Sequence, residues 1–233
     1  METSKSRLCV ALDVPTSEEA LSLASVLQGH VGVAKIGLEL FTAEGPSVVK
    51  AVRELGLDIF LDLKFNDIPN TVRGAVAQVA ELGCRMMTVH ALGGRKMMAA
   101  ASQAVASAGT HPMILAVTLL TSLDEMAASE ELCLKLPVRE MVVHLAREAR
   151  DAGLDGVVCS PQEISVVRQA CGPEFKIVTP GIRPRCGEQN DQARTMTPRD
   201  AILAGADYLV VGRPITSSSN PAAAADQIAA EMR

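Results

Sequence analysis

Leu55-Gly56-Leu57-Asp58-Ile59-Phe60-Leu61-Asp62-Leu63-Lys64-Phe65-Asn66-Asp67 divides into a helix end, a buried strand and a concentration of charge. Glycine closes helices in the left-handed conformation, so Gly56 marks a turn out of a helix. The run 57–61 is apolar apart from Asp58 and has the length of a core strand. Two carboxylates and an ammonium then fall within six positions, Asp62 to Asp67. The same junction recurs at Leu82-Gly83-Cys84-Arg85, Ala152-Gly153-Leu154-Asp155 and Ala204-Gly205-Ala206-Asp207, each time between a helical pattern and an apolar run. The four glycines are 27, 70 and 52 positions apart. Those intervals approximate one, two or three copies of a unit of about 25 residues, the length of a strand–helix repeat.

Extending that unit in both directions predicts strands over 7–13, 32–38, 57–62, 85–90, 113–118, 155–159, 175–179 and 207–211. Helical patterns lie between them. Thr16 and Glu19 stand in capping-box positions for a helix over 16–28. Val72, Ala75, Val76 and Val79 share one face of a helix over 70–82. Thr197-Pro198 and Asn220-Pro221 each read as an N-cap followed by the first helical residue. Eight strand–helix units in a chain of this size predict an α/β fold, a single (β/α)8 TIM barrel spanning 1–233. A doubly wound open sheet is the competing architecture. Two connections, 119–136 and 180–196, are longer than the rest and fall where a barrel carries its functional loops.

Bulk composition agrees. The 233 residues are 48% hydrophobic but only 2% aromatic, with no Trp, so Ala, Val, Leu, Ile and Met must build the core. A net charge of −5 without any Lys/Arg run argues against a nucleic-acid surface, and an anionic ligand would need locally gathered cations. The six cysteines, Cys9, Cys84, Cys133, Cys159, Cys171 and Cys186, show neither C-x-x-C nor metal-ligand spacing and read as free thiols. No signal-type stretch opens the sequence and no segment reaches membrane-spanning length, so a cytoplasmic protein without membrane contact is expected.

In a barrel the C-terminal strand ends form the site. Strand 1 ends in Asp13, strand 2 carries Lys35, and strand 3 ends in Asp62 and Lys64, with Asp67 at the following turn able to close back on them. Alternation along a strand puts Asp62 and Lys64 on one face. A purely structural ion pair is the plainer alternative, yet burying charges returns little stability. Flanking carboxylates favour the charged ammonium, so Lys64 suits proton donation to a developing carbanion, not Schiff-base chemistry. At the opposite side of the mouth, Arg183 follows strand 7 and Arg213 follows Gly212 after strand 8. These are the positions from which barrels bind phosphate, and arginine offers the forked geometry that phosphate accepts.

These residues carry a family resemblance. Asp62-Leu-Lys64-Phe-Asn-Asp67-Ile-Pro-Asn-Thr71-Val resembles the signature of bacterial-type orotidine 5′-monophosphate decarboxylases. Leu12-Asp13-Val14, Ala34-Lys35-Ile36-Gly37, Pro180-Gly181-Ile182-Arg183-Pro184 and Val211-Gly212-Arg213-Pro214-Ile215 match in order and spacing across the chain. Asn66 departs from the His that relatives often carry there, between the motif's fixed charges. The resemblance implies decarboxylation of orotidine 5′-monophosphate to uridine 5′-monophosphate, the last step of de novo pyrimidine synthesis. Lys64 would protonate C6, Asp62 would face the departing carboxylate, and Lys35 and Asp67 would hold the charge array. Asp67 and Thr71 would reach into the neighbouring subunit of a homodimer with shared active sites. Asp13 would bind ribose hydroxyls, Thr121 and Ser122 would lie near the pyrimidine, and Arg183, Gln192, Gly212 and Arg213 would meet the phosphate or bridge to it. No metal and no cofactor are implied.

Two other readings compete. A magnesium-dependent phosphosugar decarboxylase or aldolase of the same barrel superfamily shares the D-x-K-x-x-D pattern but needs an acidic residue on strand 2, where Lys35 stands. A non-catalytic nucleotide-binding barrel would keep Arg183 and Arg213 without needing the Asp62–Lys64–Asp67 cluster. His90, at the end of strand 4, reads equally well as a hydrogen-bonded core histidine and is left outside the site. His30, His111 and His144 read as structural. Cys186, in the long loop beside Arg183, reads as an oxidisable thiol without a catalytic role.

Overall fold

The computed structural model describes residues 3–106, 109–184 and 195–233. Eight parallel strands close a barrel in chain order: β1 (Leu8–Ala11), β2 (Val33–Ile36), β3 (Asp58–Phe65), β4 (Met86–His90), β5 (Met113–Val117), β6 (Gly156–Val158), β7 (Lys176–Thr179) and β8 (Tyr208–Val211). Strand β8 pairs back onto β1, so no strand edge is left open. Every expected strand is present, and the open-sheet alternative is excluded by the closure. The four junction glycines all have positive φ, from 69° at Gly83 to 111° at Gly205.

Helices α1 (Ser17–Val26), α2 (Leu38–Glu44), α3 (Pro46–Glu54), α4 (Pro69–Ala80), α5 (Arg95–Ala106), α6 (Val138–Asp151), α7 (Ile164–Cys171), α8 (Pro198–Ala204), α9 (Arg213–Thr216) and α10 (Pro221–Glu231) surround the barrel. The caps read from the sequence form: Thr16 accepts the Glu19 N–H, Thr197 that of Asp200 and Asn220 that of Ala223. Within the long connection after β5, Ala127–Glu131 forms one π-helical turn.

Strand alternation sorts the core into two layers. Outward residues such as Val10, Ala34, Ile59 and Met87 pack against the helices. Inward residues, among them Cys9, Val33, Phe60, Met86, Leu115 and Val178, fill the barrel. Among the described residues, polar groups gather at the two ends of that inner column. At the N-terminal end, Arg85 donates to Asp58 Oδ2 at 2.6 Å and to the Tyr208 hydroxyl at 2.8 Å, its guanidinium 5.5 Å from the Tyr208 ring centroid. The opposite end holds the residues singled out in the sequence.

The register shift between β3 and β4 lies there. Leu61 pairs with Met87 and Phe65 with Val89, so three residues of β3 (Asp62, Leu63 and Lys64) face a single residue of β4, Thr88. The extra residues form a bulge, a device that re-aims side chains beside sites. Lys64 absorbs the change with φ of 53°, in the left-handed region that side chains seldom occupy. Strand β3 thus runs to Phe65, beyond the expected end at 62.

Candidate functional site

A cavity of about 350 Å³ opens at the C-terminal strand ends, floored by Phe60, Val117 and Val158. Asp13, Lys35, Asp62 and Lys64, from β1 to β3, line it together with Arg183, Gly212 and Arg213, which follow β7 and β8, and with Thr121 on the loop after β5. The four charged groups alternate in sign. Lys35, almost fully buried, donates to Asp13 Oδ1 at 2.8 Å and lies 4.0 Å from Asp62 Oδ2. Lys64 donates to that same Asp62 oxygen at 2.9 Å. Gly37 makes room for this chain: a Cβ there would stand 3.1 Å from both Asp13 Oδ1 and Lys35 Nζ.

The side-by-side placement of Asp62 and Lys64 was expected from regular alternation, but its cause is different. The bulge and the left-handed Lys64 bring the ammonium back over Asp62. Thr88, unnoticed in the sequence, completes the local geometry. Its buried hydroxyl accepts the Lys64 N–H and donates to Asp62 Oδ1, each at 2.9 Å. The available signal was a polar residue within the apolar run of β4, on the inward face shared with Met86.

Asp67 does not close back on its own chain's Asp62 and Lys64. It is exposed, and its Oδ1 accepts the Ile68 N–H at 2.6 Å. Thr71, exposed in the first turn of α4, also stands outside the cavity lining. Ser122 is exposed and does not line the cavity, whereas its neighbour Thr121 does. Gln192 and Cys186 lie outside the described residues. Arg183 donates to the Ile182 carbonyl at 2.9 Å. Arg213 is exposed at the start of α9.

His90 is half-buried beside this array. Its Nδ1 accepts the Leu92 N–H at 3.3 Å, the hydrogen-bonded role that its position allowed. Burial, and then the nearby Lys64 charge, hold its pKa below the ordinary 6.5, which favours neutral imidazole. His30 instead pairs with Asp226 at 3.1 Å, ahead of the start of β2.

Such a site can hold an anionic ligand by two arginines while presenting a fixed ammonium to a carbon that gains negative charge. Preorganised charge of this kind acts most strongly in the transition state.

The comparisons bear on which chemistry this is. Residues 6–228 match the model of the orotidine 5'-phosphate decarboxylase / HUMPS family. The orotidine 5'-phosphate decarboxylase of Syntrophotalea carbinolica is 51% identical, over 98% of this chain and 96% of the relative. That of Moorella thermoacetica is 50% identical, over 98% and 93%. Among solved structures, the orotidine 5'-phosphate decarboxylase of Lactobacillus acidophilus superposes with a TM-score of 0.87 at 40% identity, covering 97% of this chain and 98% of that one. By the match over residues 6–228 and by these relatives, the chain belongs to the orotidine 5'-phosphate decarboxylase / HUMPS family.

Proposed function

We propose that the protein decarboxylates orotidine 5′-monophosphate to uridine 5′-monophosphate, in pyrimidine synthesis, and that Lys64 supplies the proton. The observation that carries this reading is the Lys35–Asp62–Lys64 contact chain lining the same cavity as Arg183 and Arg213. The bond from C6 to the carboxylate carbon breaks, carbon dioxide leaves, and the electron pair stays on C6. The Lys64 ammonium stabilises that pair and then gives it a proton. Asp62 holds the ammonium and faces the leaving carboxylate, and Lys35 balances Asp62 and Asp13. Ribose hydroxyls go to Asp13, the pyrimidine to Thr121 and Ser122, and the phosphate to Arg183, Gln192, Gly212 and Arg213.

A homodimer with shared sites accounts for Asp67 and Thr71, which are exposed outside their own chain's cavity. Leu38, Ile68 and Leu92, each just past the end of β2, β3 or β4, are 55%, 67% and 44% exposed. A partner covering those three neighbouring strand ends would shelter apolar surface and bring Asp67 and Thr71 to the second site. The net charge of −5 favours a small nucleotide held by local cations over a nucleic-acid surface. A cytoplasmic location suits five described cysteines that are all free thiols. No helix of the described residues is long and apolar enough to cross a membrane.

The magnesium-dependent alternative has nothing in its favour at this site, because a cation would face two ammonium groups within reach of one carboxylate. The test is a spectrophotometric assay of the purified protein with orotidine 5′-monophosphate and a chelator. Loss of the orotate chromophore supports the reading. No loss, with turnover of sugar phosphates only when magnesium is added, overturns it.

A further inference from the structure

We infer that Thr88 is a positioning residue: its hydroxyl, opposite the β3 bulge, locks Lys64 in the left-handed conformation that aims the ammonium. This rests on the decarboxylase reading above and adds to it a residue that touches no substrate. The hydrogen bonds form a closed ring. Lys64 N–H donates to Thr88 Oγ1, which donates to Asp62 Oδ1; Lys64 Nζ in turn donates to Asp62 Oδ2. Lys64 is therefore held at its backbone and at its ammonium, and Thr88 and Asp62 link the two ends.

Only certain residue types can close this ring. A hydroxyl accepts one bond and donates another at the same atom, as the site requires. A β-branched side chain is stiff at χ1, so the Oγ1 direction is set by the strand. Thr88 has no exposed surface, which leaves no solvent route to replace the hydroxyl if it is lost. A non-glycine residue at φ of 53° persists only where its surroundings hold it there. Without the Thr88 hydroxyl, the Lys64 N–H loses its partner and the Asp62 carboxylate loses one of its two hydrogen bonds.

Thr88→Val keeps the shape and removes the hydroxyl, whereas Thr88→Ser keeps the hydroxyl and removes a methyl. An ångström of misplacement at a reacting group costs about 100-fold in rate. Thr88→Val should therefore lower kcat roughly 10- to 100-fold, while KM and the affinity for uridine 5′-monophosphate stay within about 3-fold. Thr88→Ser should recover most of kcat. Unchanged kcat in Thr88→Val, equal losses in Thr88→Ser and Thr88→Val, or a loss lying mainly in KM and product binding would each overturn the inference. Should the valine variant not fold, Thr88→Ala is compared with Thr88→Ser by the same criteria. The unsubstituted protein is the control: if it does not turn over orotidine 5′-monophosphate, the decarboxylase reading itself has failed. An unsubstituted protein that is active, alongside a fully active Thr88→Val, refutes only the role of Thr88.

Discussion

Removing the Arg213 side chain separates the phosphate grip from the chemistry. Arg213 opens α9 directly after β8 and lines the same cavity as Lys64. A charge-assisted hydrogen bond contributes about 1.5–3 kcal/mol, and exposure of Arg213 to solvent places it toward the lower end. Arg213→Ala should then lower kcat/KM on orotidine 5′-monophosphate by roughly 10- to 30-fold. Orotidine, which lacks the phosphate, has nothing to lose at this position, and its slow turnover should change by less than about 2-fold. Both substrates are assayed by chromophore loss at one ionic strength, with long incubations for the nucleoside, because exposed charges are salt-screened. Arg213→Lys restores a charge without the fork and should recover only part of the loss. Equal losses on nucleotide and nucleoside would refute the assignment and make Arg213 a general structural group.

Three further outcomes are expected. An equimolar, randomly reassorted mixture of Asp67→Ala and Lys64→Ala subunits should regain about a quarter of the unsubstituted activity, since about half of the dimers are mixed and one of the two sites in each is intact; no recovery in verified mixed dimers would mean self-contained sites. Because the folded protein holds His90 below 6.5, the unfolded chain takes up that proton first as pH falls. The His90 contribution to stability is thus complete above about pH 6.5 and declines below it, and His90→Asn should flatten denaturation midpoints measured between about pH 8 and about pH 5. An unchanged slope would show that His90 titrates alike in both states. Native alkylation read by mass spectrometry should label exposed Cys133 while sparing Cys9 and Cys84, both buried and pushed up to about 12; labelling of those two before Cys133 would contradict the packing.

The barrel was legible because its signals are local. A glycine that ends a helix and the apolar run that follows it are visible at four junctions, and extending the repeat of about 25 residues between them supplies the other strands of the eight. Charges at strand ends were legible for the same reason: Asp13, Lys35, Asp62, Lys64, Arg183 and Arg213 meet at one cavity. The internal geometry of the site was not. A register slip depends on how two strands pair, and nothing in Asp62-Leu63-Lys64 marks Lys64 as left-handed. Regular alternation predicted the right neighbour for Asp62 for the wrong reason. Thr88 was passed over because a single threonine in a strand usually means β propensity, and only its position opposite the bulge gives it two partners. Asp67, which both its proximity in sequence and the family resemblance put in the array, is exposed in its own chain and accepts the Ile68 N–H, because a place across a subunit boundary leaves no signal within one chain.

The central claim is that the Lys64 ammonium, held by Asp62, delivers the proton to C6. Decarboxylation by the unsubstituted protein and by Lys64→Ala should be measured side by side, together with the affinity of each for uridine 5′-monophosphate. An ammonium about 4 Å from the developing charge is worth about 4 kcal/mol at a protein surface, and proton transfer adds roughly 100-fold or more in rate. The account predicts turnover reduced by at least about 10⁵-fold with nucleotide affinity changed by less than about 10-fold. Retained turnover in Lys64→Ala, with binding intact, would contradict it.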